Sequence, residues 1–346
     1  MRIRRTFPIV VAVLVVAAAV TLAVQLRKHA PPEAARLLPG ADAFFYLDLS
    51  WARHVNVGRE LPAVSHDPEY ERFIRETGFQ FERDLDEAAF AIHYPAKWSG
   101  GGTGGAAPEP RFSEMLVGKF HAERLTNYLR QIAKSVENHH GVDIFTIQVE
   151  SRSLRVAVLN ADSVAASNHD DPAVIEGMVD RSKRLASPFG GPALLRQYYK
   201  HVQLASLAWL VARVEPSTSA ATGVWGTLFG APATIVASGS FLSPLHLRPD
   251  SVHLRAEAFT DTSDAARALV DKVSIFIALT HAAETSIGTQ GPDADVKAFF
   301  DSVQVKQEGE RAVLNATVSP GFLRKTLAEA SPEAAPAGSA AAPTTK

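Results

Sequence analysis

Hydrophobic and polar positions recur with different periods along the chain, and the periods predict its elements. Ala43 to Leu49 (Ala-Phe-Phe-Tyr-Leu-Asp-Leu) follows the turn signal Pro39-Gly40 and reads as a buried strand. Met115 to Phe120 reads as a second strand. After it Leu125, Tyr128, Leu129, Ile132 and Val136 stand three and four apart, which lines one face of a helix. Ile144 to Val149 and Leu154 to Leu159 flank Glu150 to Ser153 and predict a hairpin. Asp171 caps a further helix with Pro172 at its first position and Ile175, Met178, Val179 and Leu185 on its apolar face. Ala193 to Tyr199 is helix-like, and Leu204 to Val214, too short to span a bilayer, reads as buried core.

The second half replays parts of the first. In Val252 to Phe259, Val252, Leu254, Ala256 and Ala258 point one way and His253, Arg255 and Glu257 the other, as in an antiparallel sheet with one solvated face. Ala266, Leu269, Val270, Val273 and Ile277 then form a helical stripe, repeating the strand-then-helix order of Met115 to Val136. Ala157-Val158-Leu159-Asn160-Ala161 recurs identically at Ala312-Val313-Leu314-Asn315-Ala316, and Ala231 to Phe241 corresponds to Ala41 to Trp51. The expected fold class is α+β: two similar units of mainly antiparallel sheet with helices packed on one face, plus an N-terminal transmembrane helix.

That last element rests on Phe7 to Val24, an uncharged run of 18 residues. At about 1.5 Å per residue it matches the hydrocarbon thickness of a bilayer. It is longer than the core of a cleaved secretory signal, so it reads as an anchor, with Ala17-Ala18-Ala19 as the cleavage site of the alternative signal peptide. Arg2, Arg4 and Arg5 before the span against Arg27 and Lys28 after it favour a cytoplasmic N-terminus and a body outside the inner membrane. The expected organisation is an anchor over 1–30, a first α+β unit over 31–190, a connecting segment over 191–230, a second unit over 231–328 and a disordered tail over 329–346. The Ala/Pro/Ser/Thr tail has too little apolar surface to offset its ordering entropy.

Composition changes the picture in two ways. The net charge of −2 divides into +5 on residues 1–30 and −7 beyond. A mildly acidic body with scattered Lys and Arg has no attraction for phosphate backbones, so nucleic acid is excluded as an expected partner. With no cysteine in 346 residues there is no disulfide, thiolate metal site, thiol nucleophile or lipidated cysteine, so the core alone must stabilise the body.

Leu37-Leu38-Pro39-Gly40-Ala41-Asp42-Ala43-Phe44-Phe45-Tyr46-Leu47-Asp48, directly after the apolar run, resembles the opening of uncharacterised exported, membrane-anchored bacterial proteins. Their bodies begin with a Leu-Pro strand and carry repeated α+β units. The resemblance implies location and architecture and no activity.

Candidate chemistry is sparse. Among twelve histidines the local clusters are His139-His140 with Asp143 and His169-Asp170-Asp171. Neighbouring residues on a strand point apart, and neither cluster has the His-Glu-x-x-His spacing, so both read as solvated loops and no metal ligand is assigned. Gly100 to Gly105 lacks the Lys-Ser/Thr and helix start of a phosphate loop, and Ser240 lacks the Gly-x-Ser-x-Gly elbow. His281 and Glu284 read as an exposed helical pair. Phe44, Phe45, Tyr46, Trp51, Tyr198, Tyr199, Trp209 and Trp225 read as core. No catalytic, cofactor-binding or metal residue follows. The expected function is a membrane-tethered, extracytoplasmic binding or scaffolding module. Its partners would be the lipid bilayer through Phe7 to Val24 and an unknown protein or hydrophobic ligand. The first alternative is a carrier of a lipid or other hydrophobic ligand. The second is an envelope hydrolase, which requires at least three of His93, His121, His139, His169 and His253 to converge with acids.

Overall fold

The computed structural model describes residues 30–50, 67–94, 110–150, 152–183, 191–214, 233–241, 251–286, 294–319 and 321–322. Twelve strands form one sheet: β1 (Ala43–Asp48), β2 (Leu85–His93), β3 (Arg111–Gly118), β4 (Ser135–His139), β5 (Val142–Val149), β6 (Arg152–Val158), β7 (Ser163–Ser167), β8 (Ser206–Val214), β9 (Ala233–Ser240), β10 (Val252–Phe259), β11 (Gln304–Glu308) and β12 (Arg311–Val318). The order is β11-β12-β10-β9-β8-β1-β2-β3-β7-β6-β5-β4, and every pairing is antiparallel. Read outward from the central β1–β8 pair, both directions give a three-strand meander followed by the last strand of a returning segment. The helices are α1 (Glu33–Leu37), α2 (Pro68–Thr77), α3 (Phe81–Asp84), α4 (Ala122–Ile132), α5 (Ala173–Ser182), α6 (Ala193–Tyr198), α7 (Ser263–Ser286) and α8 (Ala294–Ser302).

The period of two along each strand sorts its residues onto two faces. On one face Ile144, Ala157, Ala165, Met115, Ala89, Tyr46 and Trp209 stand directly opposite one another across successive strands. The three alanines let helices come close: α1 brings Ala34 and Ala35, α5 brings Ile175, Met178 and Val179, and α6 brings Leu194 and Leu195 onto this face in the main core. Beyond Trp209 the same row turns polar, through Ser238, Arg255 and Asn315. On the opposite face Phe79, Phe120, Leu125 and Leu129, from α4 and the segments around α2 and α3, cover Phe145, Val156, Val164 and Ala166. Further along that face Leu269, Val270 and Val273 of α7 cover Ala233, Ile235, Ala258 and Ala312.

Local signals account for the helix ends. The Asp67 carboxylate accepts from the Glu69 and Tyr70 amides at 2.9 and 2.8 Å, Pro68 opens α2, and Gly78 at φ +76° closes it with its amide on the Ile74 carbonyl. Asp171 bonds the Ala173 amide at 2.9 Å while Pro172 stands just ahead of α5.

The expected fold class needs correction on three points. The two halves share a single hydrogen-bonded sheet, because β1 and β8 pair along Ala43↔Ala212 to Leu47↔Ala208. Helices occupy both faces of it, since alternate residues of the strands are apolar on both sides over the first half. Among the described residues no helix is long and apolar enough to cross a membrane. Even the 24-residue α7 carries Asp264, Arg267, Asp271 and Lys272 in its first ten positions. The expected span Phe7 to Val24 lies outside the described residues, as do Trp51, Gly100 to Gly105, Leu185, Trp225 and the 329–346 tail. No described helix supports the expected single-pass inner-membrane topology or the bilayer as a partner, and neither is carried further.

Smaller differences follow from turn chemistry. Leu204 to Val214 yields the strand β8 over Ser206–Val214, whose Trp209, Val211 and Ala212 are core as expected while Leu204 before it is exposed, and Val136 leaves the helical stripe for the edge strand β4. The repeated pentapeptide lies at inequivalent places: Ala157 is in β6, one strand removed from β3, whereas Ala312 to Ala316 lies in β12, directly beside β10. Ala231 to Phe241 yields β9, which occupies the place of β2 and not of β1 when the order is read outward from the centre.

Candidate functional site

The middle of the sheet carries an apolar strip on the face that bears α4 and α7. Ala237, Leu210, Phe45, Phe90 and Glu114 are paired in line across β9, β8, β1, β2 and β3. Leu47, on the same face of β1, and Phe112, two residues from Glu114, extend it. Leu210, Phe45, Phe90, Phe112 and Leu47 are only half-buried, and the Phe45 and Phe90 rings lie 6.1 Å apart. Connectivity explains the opening. The crossover helices α4 and α7 follow β3 and β10 and lie over outer strands, α4 against β5 and β6 and α7 against β11 and β12. The helices beside the central strands, α1 and α6, are on the other face.

Glu114 is the one acid in this row. It has no hydrogen-bond or ion-pair partner among the described residues, and burial pushes its carboxyl above the ordinary carboxylate range. Burial makes the charged form of this carboxyl costlier than it is in water. A second apolar surface lies on α7, where Ile275, Phe276 and Leu279 are 60%, 47% and 63% exposed.

No protein-family model matches the chain, and no curated protein does. Its fold has a weak likeness to TP0453. Crystal form III of that protein aligns with a TM-score of 0.43 and 9% identity over 87% of this chain and 99% of the other. Crystal form I gives 0.42 and 11% over 87% and 98%. The similarity concerns the path of the backbone alone.

The remaining polar clusters fall into separate places. His93 Nε2 meets the Ser113 hydroxyl at 3.1 Å, Ser113 meets Ser167 at 3.0 Å, and the His93 and His169 rings stand 5.0 Å apart. Burial, with His169 adding to it, pushes His93 down to about 4. Ser113 is wholly buried, so its hydroxyl cannot meet a substrate. His121 precedes α4, His139 lies at the far edge of the sheet, and His253 sits on β10 against Thr317 at 3.5 Å. Of the five histidines from which the hydrolase reading needs at least three, only His93 and His169 come together. Ser240, also buried, donates to the Leu204 and Ala205 carbonyls. His281 and Glu284 belong to α7, but their side chains lie outside the described residues.

On the polar half of the first face Glu257, with its side chain 3% exposed, accepts from Arg255 at 2.7 Å and Arg311 at 2.9 Å, with His201 at 3.3 Å. These partners compensate a buried charge, a structural role. The expected solvated face of β10 is thus partly closed, by His201 and by the Tyr198–Phe259 contact.

Both local histidine clusters are rearranged. Asp143 turns to Arg130 and Asn138, and His139 and His140 converge instead on Asp180 of α5. Asp170 pairs with Arg111. Sequence spacing had no means of finding Asp180, which comes from a helix 40 residues further along the chain.

Proposed function

We propose that the protein is a non-enzymatic carrier of a hydrophobic ligand, held on the half-open strip of Leu210, Phe45, Phe90 and Phe112 with its polar end at Glu114. The membrane-tethered scaffold expected from the sequence is replaced by this reading, since no described helix spans a bilayer. The observation that carries it is the in-line placement of a half-buried apolar row that reaches Glu114, a carboxyl without a partner among the described residues, before passing under α4 at Ala166. Soluble domains seldom leave contiguous apolar area uncovered, and ligand sites combine apolar walls with few polar groups. A carboxyl beside the row accepts a hydrogen bond from the hydroxyl end of an acyl chain and disfavours a phosphate, whose charge has the same sign.

Nile red, a neutral apolar dye, tests this with the full chain. Its fluorescence should rise and shift to the blue on binding and be reversed by monoolein. Phe45→Gln and Leu210→Gln should each weaken the dye by about tenfold while far-UV circular dichroism stays unchanged, since each removes about 1.5–3 kcal/mol of apolar contact. Glu114→Ala should weaken monoolein and spare the dye. Dye binding that is absent, or indifferent to all three changes, refutes the reading.

A further inference from the structure

At the edge of the sheet the β4–β5 hairpin closes through two residues, His140 and Gly141, at φ +51° and +80°. Two successive positive φ values make this a tight turn of the kind that fits the twist of paired strands. A histidine seldom adopts that conformation. Here it brings the two neighbouring rings, which an extended strand would send to opposite faces, to 4.2 Å between centroids. The Asp180 carboxylate of α5 meets them both. His139 Nε2 and His140 Nδ1 each lie 2.7 Å from the same oxygen, Oδ1. The three candidate ligand atoms all fall within 4.8 Å of one another, with side-chain exposures of 23%, 56% and 33% in the order His139, His140, Asp180.

We propose that His139, His140 and Asp180 bind a divalent transition-metal ion, Zn2+ by ligand type, which fastens the edge hairpin to α5. Two imidazoles and a carboxylate suit a borderline cation, whereas Mg2+ and Ca2+ take oxygen ligands. Tetrahedral bonds of about 2.0–2.2 Å set ligand atoms roughly 3.3–3.6 Å apart, so each imidazole nitrogen has to draw back from the Asp180 oxygen by about 0.6–0.9 Å, while the two nitrogens start within 4.8 Å of each other. The binding nitrogens must be free of protons, which places the ring protons on Nδ1 of His139 and Nε2 of His140. Three protein ligands leave the remaining coordination positions to water.

Isothermal titration of the metal-free full chain with Zn2+, and the visible absorption of the Co2+ form, decide the matter. The wild type should bind Zn2+ in preference to Mg2+ and Ca2+, and its melting temperature should rise with Zn2+. His140→Ala, His139→Ala and Asp180→Asn should each weaken Zn2+ by about tenfold or more and change the Co2+ spectrum. His121→Ala, on the exposed start of α4, should change neither. Asp180→Asn keeps the shape of the side chain, so its loss of binding is separable from a loss of folding. Zn2+ affinity and Co2+ spectra equal to wild type in all three variants overturn the proposal. So does a wild type that binds Zn2+ no better than Mg2+.

Discussion

Phe44→Ala tests whether the two halves unfold as one body. Phe44 has no exposed surface and stands on β1 between Ala91 of β2 and Val211 of β8. Both neighbours are held by ladder hydrogen bonds, and Ala91 has no side chain that can swing into the space. The cavity therefore stays largely open, and the expected loss is about 3–5 kcal/mol, the upper part of what truncating a buried phenylalanine costs. For a chain of this size each kcal/mol lowers the melting temperature by about 2 °C, so the shift should be about 6–10 °C. Urea unfolding followed by far-UV circular dichroism gives the loss, and hydrogen exchange read separately in β3 and β10 gives its distribution. Because β1 and β8 share five paired residues, protection should fall in both strands together. If β10 keeps its wild-type protection while β3 loses its own, the halves are independent and the single-sheet reasoning fails.

Other substitutions probe narrower features. Glu257→Ala leaves Arg255 and Arg311 without their buried counter-charge and should cost about 3–5 kcal/mol in urea unfolding, whereas Arg72→Ala on the exposed Arg72–Glu76 pair should leave the unfolding midpoint unchanged. His93, held at about 4 against an ordinary 6.5, binds fewer protons folded than unfolded. Its share of stability is complete above pH 6.5 and is lost as the pH falls toward 4. After discounting for partial exposure this share is on the order of 2 kcal/mol, and His93→Asn should flatten the wild-type decline over that window. Gly78→Ala forces a side chain into φ +76° and against the Arg124 guanidinium, so the melting temperature should drop by the equivalent of about 1–2 kcal/mol.

The periodic parts of the chain were legible. Helix α4 follows from Leu125 and Leu129, and β10 and α7 follow from their alternation and stripe, because each element signals its own buried face. What failed to show was anything set by partners distant in sequence. β2, with Ala88, Ala89 and Ala91 at its core positions, has small side chains where helices press close, and so lacks the bulky β-branched run that marks a strand. Covering of both faces was hidden for a related reason. Phe44 and Phe45 are both apolar but lie on opposite faces of the sheet, and a continuous apolar run does not say which side is covered. The repeated pentapeptide gave element order correctly in kind and wrongly in place. Asp180 and Glu114 owe their interest to neighbours in other strands and helices, which no local spacing encodes.

The order of elements also explains why one part of the sheet is left open. Each half begins with a short helix, α1 or α6, that precedes its first strand and packs on the alanine-bearing face. Each half then makes three adjacent strands before a long helix crosses to the outer edge, so α4 and α7 diverge from the centre in opposite directions. Among the described residues the helices beside the central strands cover one side only, and the apolar row on the other side is not covered by α4 or α7. Substituting it with polar groups would therefore relieve solvent-exposed apolar area in the empty protein while removing the ligand's wall. Phe45→Gln should cost much less stability than Phe44→Ala, one residue away and on the opposite face, yet be the one that weakens dye binding by about tenfold. A larger stability loss at Phe45 than at Phe44 would mean that the strip is closed core, and the carrier reading would fall with it.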